Sequence, residues 1–373
     1  MLDVIINFLT NYTAIVVLIG TSIIGSVAGA LGSFAVLRKQ SLLGDCIAHA
    51  ALPGICFAFL ISYSKQPEVL LLGAIMAGGV GALFLHIIQE YSDLKRDAAL
   101  GIILSVFFGF GLVLLTYIQS TGSAKQSGLN VYLFGNASTL LRSDIYLMGV
   151  LGLVVSIIVI LFWKEFKVVT FDKDFAATLG YPKSKIDFFI TFLTVIAIVI
   201  GLQAVGVVLM SALVIAPAVA ARQWTDQLYK MVILSSVFGV VSCVLGVIIS
   251  GTILKIPTGP IIVIVVSCIV VISLFFAPKR GIVISYFRHL NQKATIDSDR
   301  ILLNLYQFSE VQKDPTFAHD IAVLDHLGEA STVNLLIQLE QKKLVYCKRP
   351  GFWGLSLKGV GYVKKILKES EHA

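Results

Sequence analysis

The strongest constraint on this chain is a succession of apolar runs, several at or beyond the ~20 residues a helix needs to cross a bilayer. Residues 13–37, 43–63, 69–90, 97–118, 144–163, 230–252 and 259–277 each read as one span. The stretch from Ile186 to Ala221 is too long for a single crossing. It contains Gly201, Gly206 and Pro217, so it divides into 186–207 and a short 208–222. The count is then nine spans, or eight if one is re-entrant. The chain is 57% hydrophobic and 14% charged, against about 25% charge in an ordinary soluble domain. The expected fold is an all-α polytopic membrane protein. Residues 1–13 lack the basic start and small-residue cleavage site of a signal peptide, so the first span is expected to stay.

Lysine and arginine orient the spans. Arg38 and Lys39 follow the first, Lys95 and Arg96 the third, and Lys164 to Lys185 the fifth. Arg222 and Lys230 bracket the loop after the seventh, and Lys279 and Arg280 follow the last. Alternate loops carry only Lys65, Lys125, Arg142 and Lys255. Nine crossings with the N-terminus outside and the C-terminus cytosolic satisfy this pattern. The net charge of +7 fits such loops. Small residues recur four apart at Gly25 and Gly29, at Gly73, Ala77 and Gly81, and at Gly101, Ser105 and Gly109. These rows let helix backbones approach closely in lipid. The five cysteines form no CxxC pair and no disulfide framework.

Composition changes after Pro278. The expected division is a membrane domain at 1–280, a linker at 281–295 and a cytosolic domain at 296–373. In the last segment 300–308, 318–327 and 332–342 read as helices. Residues 344–346 and 353–357 read as strands around Pro350-Gly351, and 359–367 as a closing helix. Helix, helix, then hairpin is a winged-helix pattern, giving a small α+β tail. Lys342, Lys343, Lys348, Arg349 and Lys358 gather near its wing. On a membrane-tethered tail this basic face reads as a regulatory or dimerising surface, and nucleic acid is not an expected partner.

Ionisable residues are rare in the spans, which makes Asp45 and His49 stand out. They lie four apart, hence on one helix face. Such groups in a span mark an ion or substrate path, and carboxylate plus imidazole suits a divalent transition metal. Lys39 belongs at the headgroups, so the pair lies roughly 9–15 Å deeper at 1.5 Å per residue. Pro53, four residues beyond His49, removes the amide that would bond the His49 carbonyl. One helix supplies too few ligands, and a twofold dimer would give four. The alternative is a first-turn acid near the headgroups, with Ser41 as cap and His49 at the interface. Cys46 points about 100° away from its neighbour Asp45. His86 reads as interfacial.

A second constellation is the loop from Lys164 to Asp187. Asp172 is expected to cap a short helix containing Asp174 and Phe175, Gly180 to end it and Pro182 to stop it. Phe175 and Leu179 would then be exposed for docking to a partner; the alternative is an amphipathic turn at the membrane surface. Gln203, Ser211 and Pro217 mark a broken helix that either lines the permeation route or simply packs. No GxxxxGK[ST] loop occurs, so ATP coupling of the P-loop type requires a separate subunit.

Four motifs, in order, carry a family resemblance. Leu43-Gly44-Asp45 through His49-Ala50, Tyr132-Leu133-Phe134-Gly135, Val205-Gly206-Val207 through Ala216-Pro217-Ala218, and Pro257-Thr258-Gly259-Pro260 resemble the permeases of zinc- and manganese-type ABC importers. The resemblance covers residues 10–280. It implies a dimer with eight or nine helices per subunit, of the type II importer kind. It also implies a cytosolic ATPase and an extracytoplasmic metal-binding protein as partners. By that resemblance Asp45 and His49 match the ion pathway, and 172–182 the ATPase-coupling helix. Residues 296–373 resemble the winged-helix part of diphtheria-toxin-repressor-type regulators, resting on 335–344 and Leu357-Lys358-Gly359. The repressors' following metal-binding region has no counterpart before His372-Ala373, so metal sensing by the tail is not expected.

The expected function is the permease subunit of an ATP-driven importer of manganese, zinc or iron(II) in a bacterial cytoplasmic membrane. It is not itself an enzyme, it holds no permanent cofactor, and a second copy or a paralogue completes it within the lipid. A gradient-driven secondary transporter is one rival, disfavoured by the scarcity of membrane acids. A membrane-anchored winged-helix regulator is another, and it requires DNA binding by residues 290–373.

Overall fold

The computed structural model describes residues 12–63, 66–120, 140–252, 257–311, 314–320 and 329–370. The motif at 132–135 lies outside them. The chain divides into two compact units, residues 1–282 and 283–373.

The first unit is helical. Its long helices are α1 (Tyr12–Leu37), α2 (Leu43–Ser62), α3 (Pro67–Tyr91), α4 (Arg96–Ser120) and α5 (Arg142–Leu161). Two short helices follow, α6 (Trp163–Phe171) and α7 (Lys173–Thr178). Then come α8 (Lys183–Val205), α9 (Val207–Trp224), α10 (Leu228–Thr252) and α11 (Thr258–Phe276). Eight of these are long and apolar enough to cross a membrane, and the shorter apolar helix α9 is the ninth segment. The divided stretch breaks at one residue. Gly206 ends α8 and opens α9 with φ +86° and ψ 167°, a conformation only glycine adopts without a Cβ clash. Gly201 and Pro217 stay inside helices. A proline ring starts α3, where its missing amide costs nothing.

Helices α2 and α8 are the innermost, two thirds buried, whereas α4, α5 and α11 face outward over most of their length. Leu43, Ile47, Leu52, Ile198 and Met210 belong to the shared core. The glycine rows place backbone against backbone. A Cβ on Gly25 would meet the Gly239 carbonyl oxygen at 2.7 Å. Beside it the Ser235 hydroxyl donates to the Gly29 carbonyl at 2.7 Å. Gly54 of α2 and Gly73 of α3 are each closed off by the other's carbonyl oxygen. The third row departs from expectation: a Cβ on Gly101 or Gly109 would meet nothing within 4 Å. That row faces outward on α4 instead of into the single bundle.

In the second unit, α12 (Ile282–Val311) runs through the stretch expected as a linker. The described remainder is β1 (His319–Asp320), α13 (Glu329–Gln341), β2 (Val345–Arg349), β3 (Phe352–Leu355) and α14 (Leu357–Ser370). The strands form one antiparallel sheet in the order β1-β3-β2, with Val345 opposite Leu355 and His319 opposite Trp353. Gly351, at φ +88°, turns the hairpin. Leu302, Leu305, Leu336, Val345 and Val363 form the core. The helix expected at 318–327 does not begin there: the backbone of His319 and Asp320 pairs as an edge strand with β3, and 321–328 lie outside the described residues. The winged-helix identity of the tail is not supported; the described residues establish a small three-stranded sheet packed with helices.

Candidate ion-pathway site

Helix α2 starts after Leu42, which provides no side-chain cap. Ser41 therefore does not cap it, as the interfacial alternative required. Asp45 occupies the first turn, where the helix dipole favours a carboxylate. Gly44 permits a close crossing with α9, because a Cβ there would stand 3.1 Å from the Ser211 Cα. One turn on, the His49 Nε2 stands 3.4 Å from the Asp45 Oδ1. The His49 side chain is 17% exposed and that of Asp45 40%. The imidazole meets the Phe108 ring edge-on at 4.4 Å. Phe108 lies at the midpoint of α4, so the imidazole packs level with the middle of that helix, while Asp45 stays in the first turn of α2. The His49 Nδ1 is buried with no hydrogen-bond partner.

This spacing suits a shared cation. An imidazole nitrogen and a carboxylate oxygen, each about 2.1 Å from an ion in tetrahedral geometry, stand about 3.4 Å apart. Among the described residues no group of three or more His, Cys, Asp or Glu side chains gathers. The pair is thus two ligands, with a partly open carboxylate, and Cys46 is wholly buried beside it.

The other residues singled out in the sequence lie on α2, α3, α8 and α9. Pro53 is buried in α2, and a Cβ on Gly111 of α4 would stand 3.0 Å from its Cδ. Helix α2 runs continuously past it, so any freed carbonyl stays within a helix. Ser211 is half-buried in α9 at the α2 crossing, and Pro217 is buried further along the same helix. Gln203 lies in α8; its side chain is outside the described residues. His86 bonds Ser184 through Nε2 at 2.9 Å, at the end of α3 near the start of α8.

The second constellation is built as its residues dictate. Asp172 caps α7, its Oδ1 accepting from the amides of Asp174 at 3.0 Å and Phe175 at 2.9 Å. The helix ends in a paired closure, with the Tyr181 amide on the Ala176 carbonyl and the Gly180 amide on that of Ala177. Gly180 takes the left-handed φ of +83° this motif requires. Pro182 then caps α8. Lys183 pairs with Asp174 at 3.0 Å. Ala176 is buried, whereas Phe171, Phe175 and Leu179 are each 54% exposed. Three large apolar side chains are thus left uncovered on one short segment.

One cluster was missed by sequence reasoning. Asp187 Oδ1 receives Arg38 Nη2 at 2.7 Å and Lys173 Nζ at 2.6 Å. Arg38 Nη2 also donates to the Thr191 hydroxyl and the Asp187 carbonyl, while Arg96 donates to the Arg38 carbonyl at 2.8 Å. Arg38 and Asp187 are almost fully buried. Burial pulls the Lys173 ammonium below its ordinary pKa, and Asp187 opposes the shift. Breaking such a buried pair by removing one partner typically costs about 3–5 kcal/mol. The available signal was Asp187 itself, an acid just inside an apolar span, where ionisable groups are functional by default.

Among the described residues, eight helices long and apolar enough to cross a membrane, plus a shorter ninth, define a multi-pass membrane protein. Residues 11–277 match the ABC 3 transport family, and the chain belongs to it. It is 40% identical over 344 residues to the manganese transport system membrane protein MntC of Bacillus subtilis, covering 92% of this chain and 79% of that one. It is 45% identical over 279 residues to the zinc transport system membrane protein TroC of Treponema pallidum, covering 75% of this chain and 94% of that one. The solved structure of PsaBC from Streptococcus pneumoniae in complex with Fab superposes with a TM-score of 0.67 at 31% identity. It covers 79% of this chain and all of that one.

Proposed function

We propose that this chain is the membrane permease subunit of an ATP-driven importer of a divalent transition metal ion: manganese, zinc or iron(II). The observation that carries the reading is the Asp45–His49 pair, an oxygen and a nitrogen at cation-sharing distance on one face of a spanning helix. The names of the relatives, which specify manganese and zinc, point the same way. Two protein ligands hold an ion weakly enough to release it, which conduction requires. The exposed edge of Asp45 and the uncovered Gly101–Ser105–Gly109 row on neighbouring α4 support a second permease copy or paralogue there, whose pair would complete the coordination.

The chain supplies no phosphate loop, so a separate cytosolic ATPase drives the cycle. Asp172, Asp174, Phe175, Leu179, Gly180 and Pro182 form the element that receives it. An extracytoplasmic metal-binding protein delivers the ion at the opposite face. Arg38, Arg96, Lys173 and Asp187 meet at one end of the bundle, which fits their placement by charge on the cytosolic side of a bacterial cytoplasmic membrane. The C-terminal unit belongs to that side as well. The test is metal accumulation in cells lacking this chain, measured for manganese, zinc and iron together. A selective deficit in one or more of these, restored by the wild-type chain, is expected; unchanged levels of all three contradict the reading.

A further inference from the structure

Asp187 joins the two elements that the permease function must couple. Its Oδ1 atom forms ion pairs with both Lys173, the first residue of α7, and Arg38, the residue after α1. Among the described residues, neither cation has another carboxylate within ion-pair distance. Both charges therefore share one oxygen, and displacing Lys173 changes the field that holds Arg38.

Arg38 is gripped from both sides: its guanidinium by Asp187 and Thr191, its carbonyl by Arg96. The chain reverses immediately afterwards. The Lys39 amide bonds the Val36 carbonyl and the Gln40 amide the Ala35 carbonyl, a closure in which glycine is usual at the left-handed position. Here that position is Lys39, at φ +56°. A non-glycine residue persists in this conformation only where the surroundings impose it. The same turn continues through the Leu43 amide on the Gln40 carbonyl directly into α2, whose first turn holds Asp45. A short path of ion pairs and backbone hydrogen bonds thus leads from α7 through one buried carboxylate to the turn before Asp45 and His49.

We infer that Asp187, with Lys173 and Arg38, is a positioning node that relays displacement of the α7 element to the α1–α2 turn, and so to Asp45 and His49. The inference rests on the permease reading above. Asp187 touches neither ion nor nucleotide; it acts through Arg38.

The test uses the full chain assembled with its ATPase in liposomes, with Mn²⁺, Zn²⁺ and Fe²⁺ as transported probes and with uptake and ATP hydrolysis measured together. Lys173→Met keeps the side-chain length and removes the charge. It is expected to lower ions taken up per ATP hydrolysed by about tenfold, and Lys173→Arg to restore the ratio. Asp187→Asn is expected to lower it as well; should that variant fail to assemble, the Met and Arg pair still decides. A structural role alone would lower yield and leave the ratio intact. An unchanged ratio in Lys173→Met, beside a wild-type complex that transports, overturns the relay alone. A wild-type complex that moves none of these three ions overturns the permease reading and the relay with it.

Discussion

The His49 imidazole and the Asp45 carboxylate stand 3.4 Å apart, one helical turn from each other, and the imidazole is braced by Phe108 of the neighbouring helix. In the proposed ion pathway this contact would orient the ring before an ion arrives. Phe108→Ala is expected to leave the fold intact and to weaken ion handling about 10-fold, the lower end for loss of a group that orients a metal ligand. Mn²⁺ and Zn²⁺ uptake at several concentrations checks this, since the loss should appear at low ion concentration first.

Asp172 closes two amides at the start of α7. Asp172→Ala should destabilise that helix by about 1 kcal/mol, too little to unfold the bundle. Phe175→Ser and Leu179→Ser, at exposed positions, should leave thermal stability unchanged while reducing recovery of the ATPase with the tagged permease. Equal recovery would show that the α7 surface is not the docking site.

Much of this was legible in the sequence because the signals are local. The spans follow from run length, the break at Gly206 from a glycine in an over-long run, and the α7 boundaries from Asp172 and Gly180. Contacts between distant segments were not legible. Arg38 and Asp187 are 149 positions apart, so even an acid just inside a span gave no sign of its partner. The outward direction of Gly109 was hidden for a related reason: spacing of four places residues on one helix face but does not say which face meets a neighbour. In the tail, short apolar periodicity at 318–327 resembled a helix, whereas His319 and Asp320 pair as a strand, and 321–328 lie outside the described residues.

The glycine rows give a paired stability test. Gly29→Leu must displace the Ser235 backbone, since even a Cβ would meet its carbonyl oxygen at 2.5 Å. The overpacking should cost about 1–3 kcal/mol or more. Gly109→Leu meets nothing within 4 Å and should change protomer stability by less than about 0.5 kcal/mol. Thermal unfolding in detergent measures both, and a larger loss at Gly109 would contradict the outward placement of that row.

Removing Arg38 isolates the buried node. Arg38→Met leaves Asp187 with Lys173 alone and should destabilise the first unit by about 3–5 kcal/mol. Restoring charge with Arg38→Lys should recover only part of this, because the shorter, more strongly hydrated lysine does not carry its charge to where Arg38 Nη2 meets Asp187 and Thr191. Unfolding midpoints of the two variants against wild type decide the point.

The central claim is most directly tested by Mn²⁺ and Zn²⁺ uptake through assembled complexes carrying Asp45→Ala or His49→Ala, with assembly checked on the same samples. Loss of uptake in both variants, with assembly as in wild type, is the predicted result. Wild-type uptake of both ions by both variants would contradict the account.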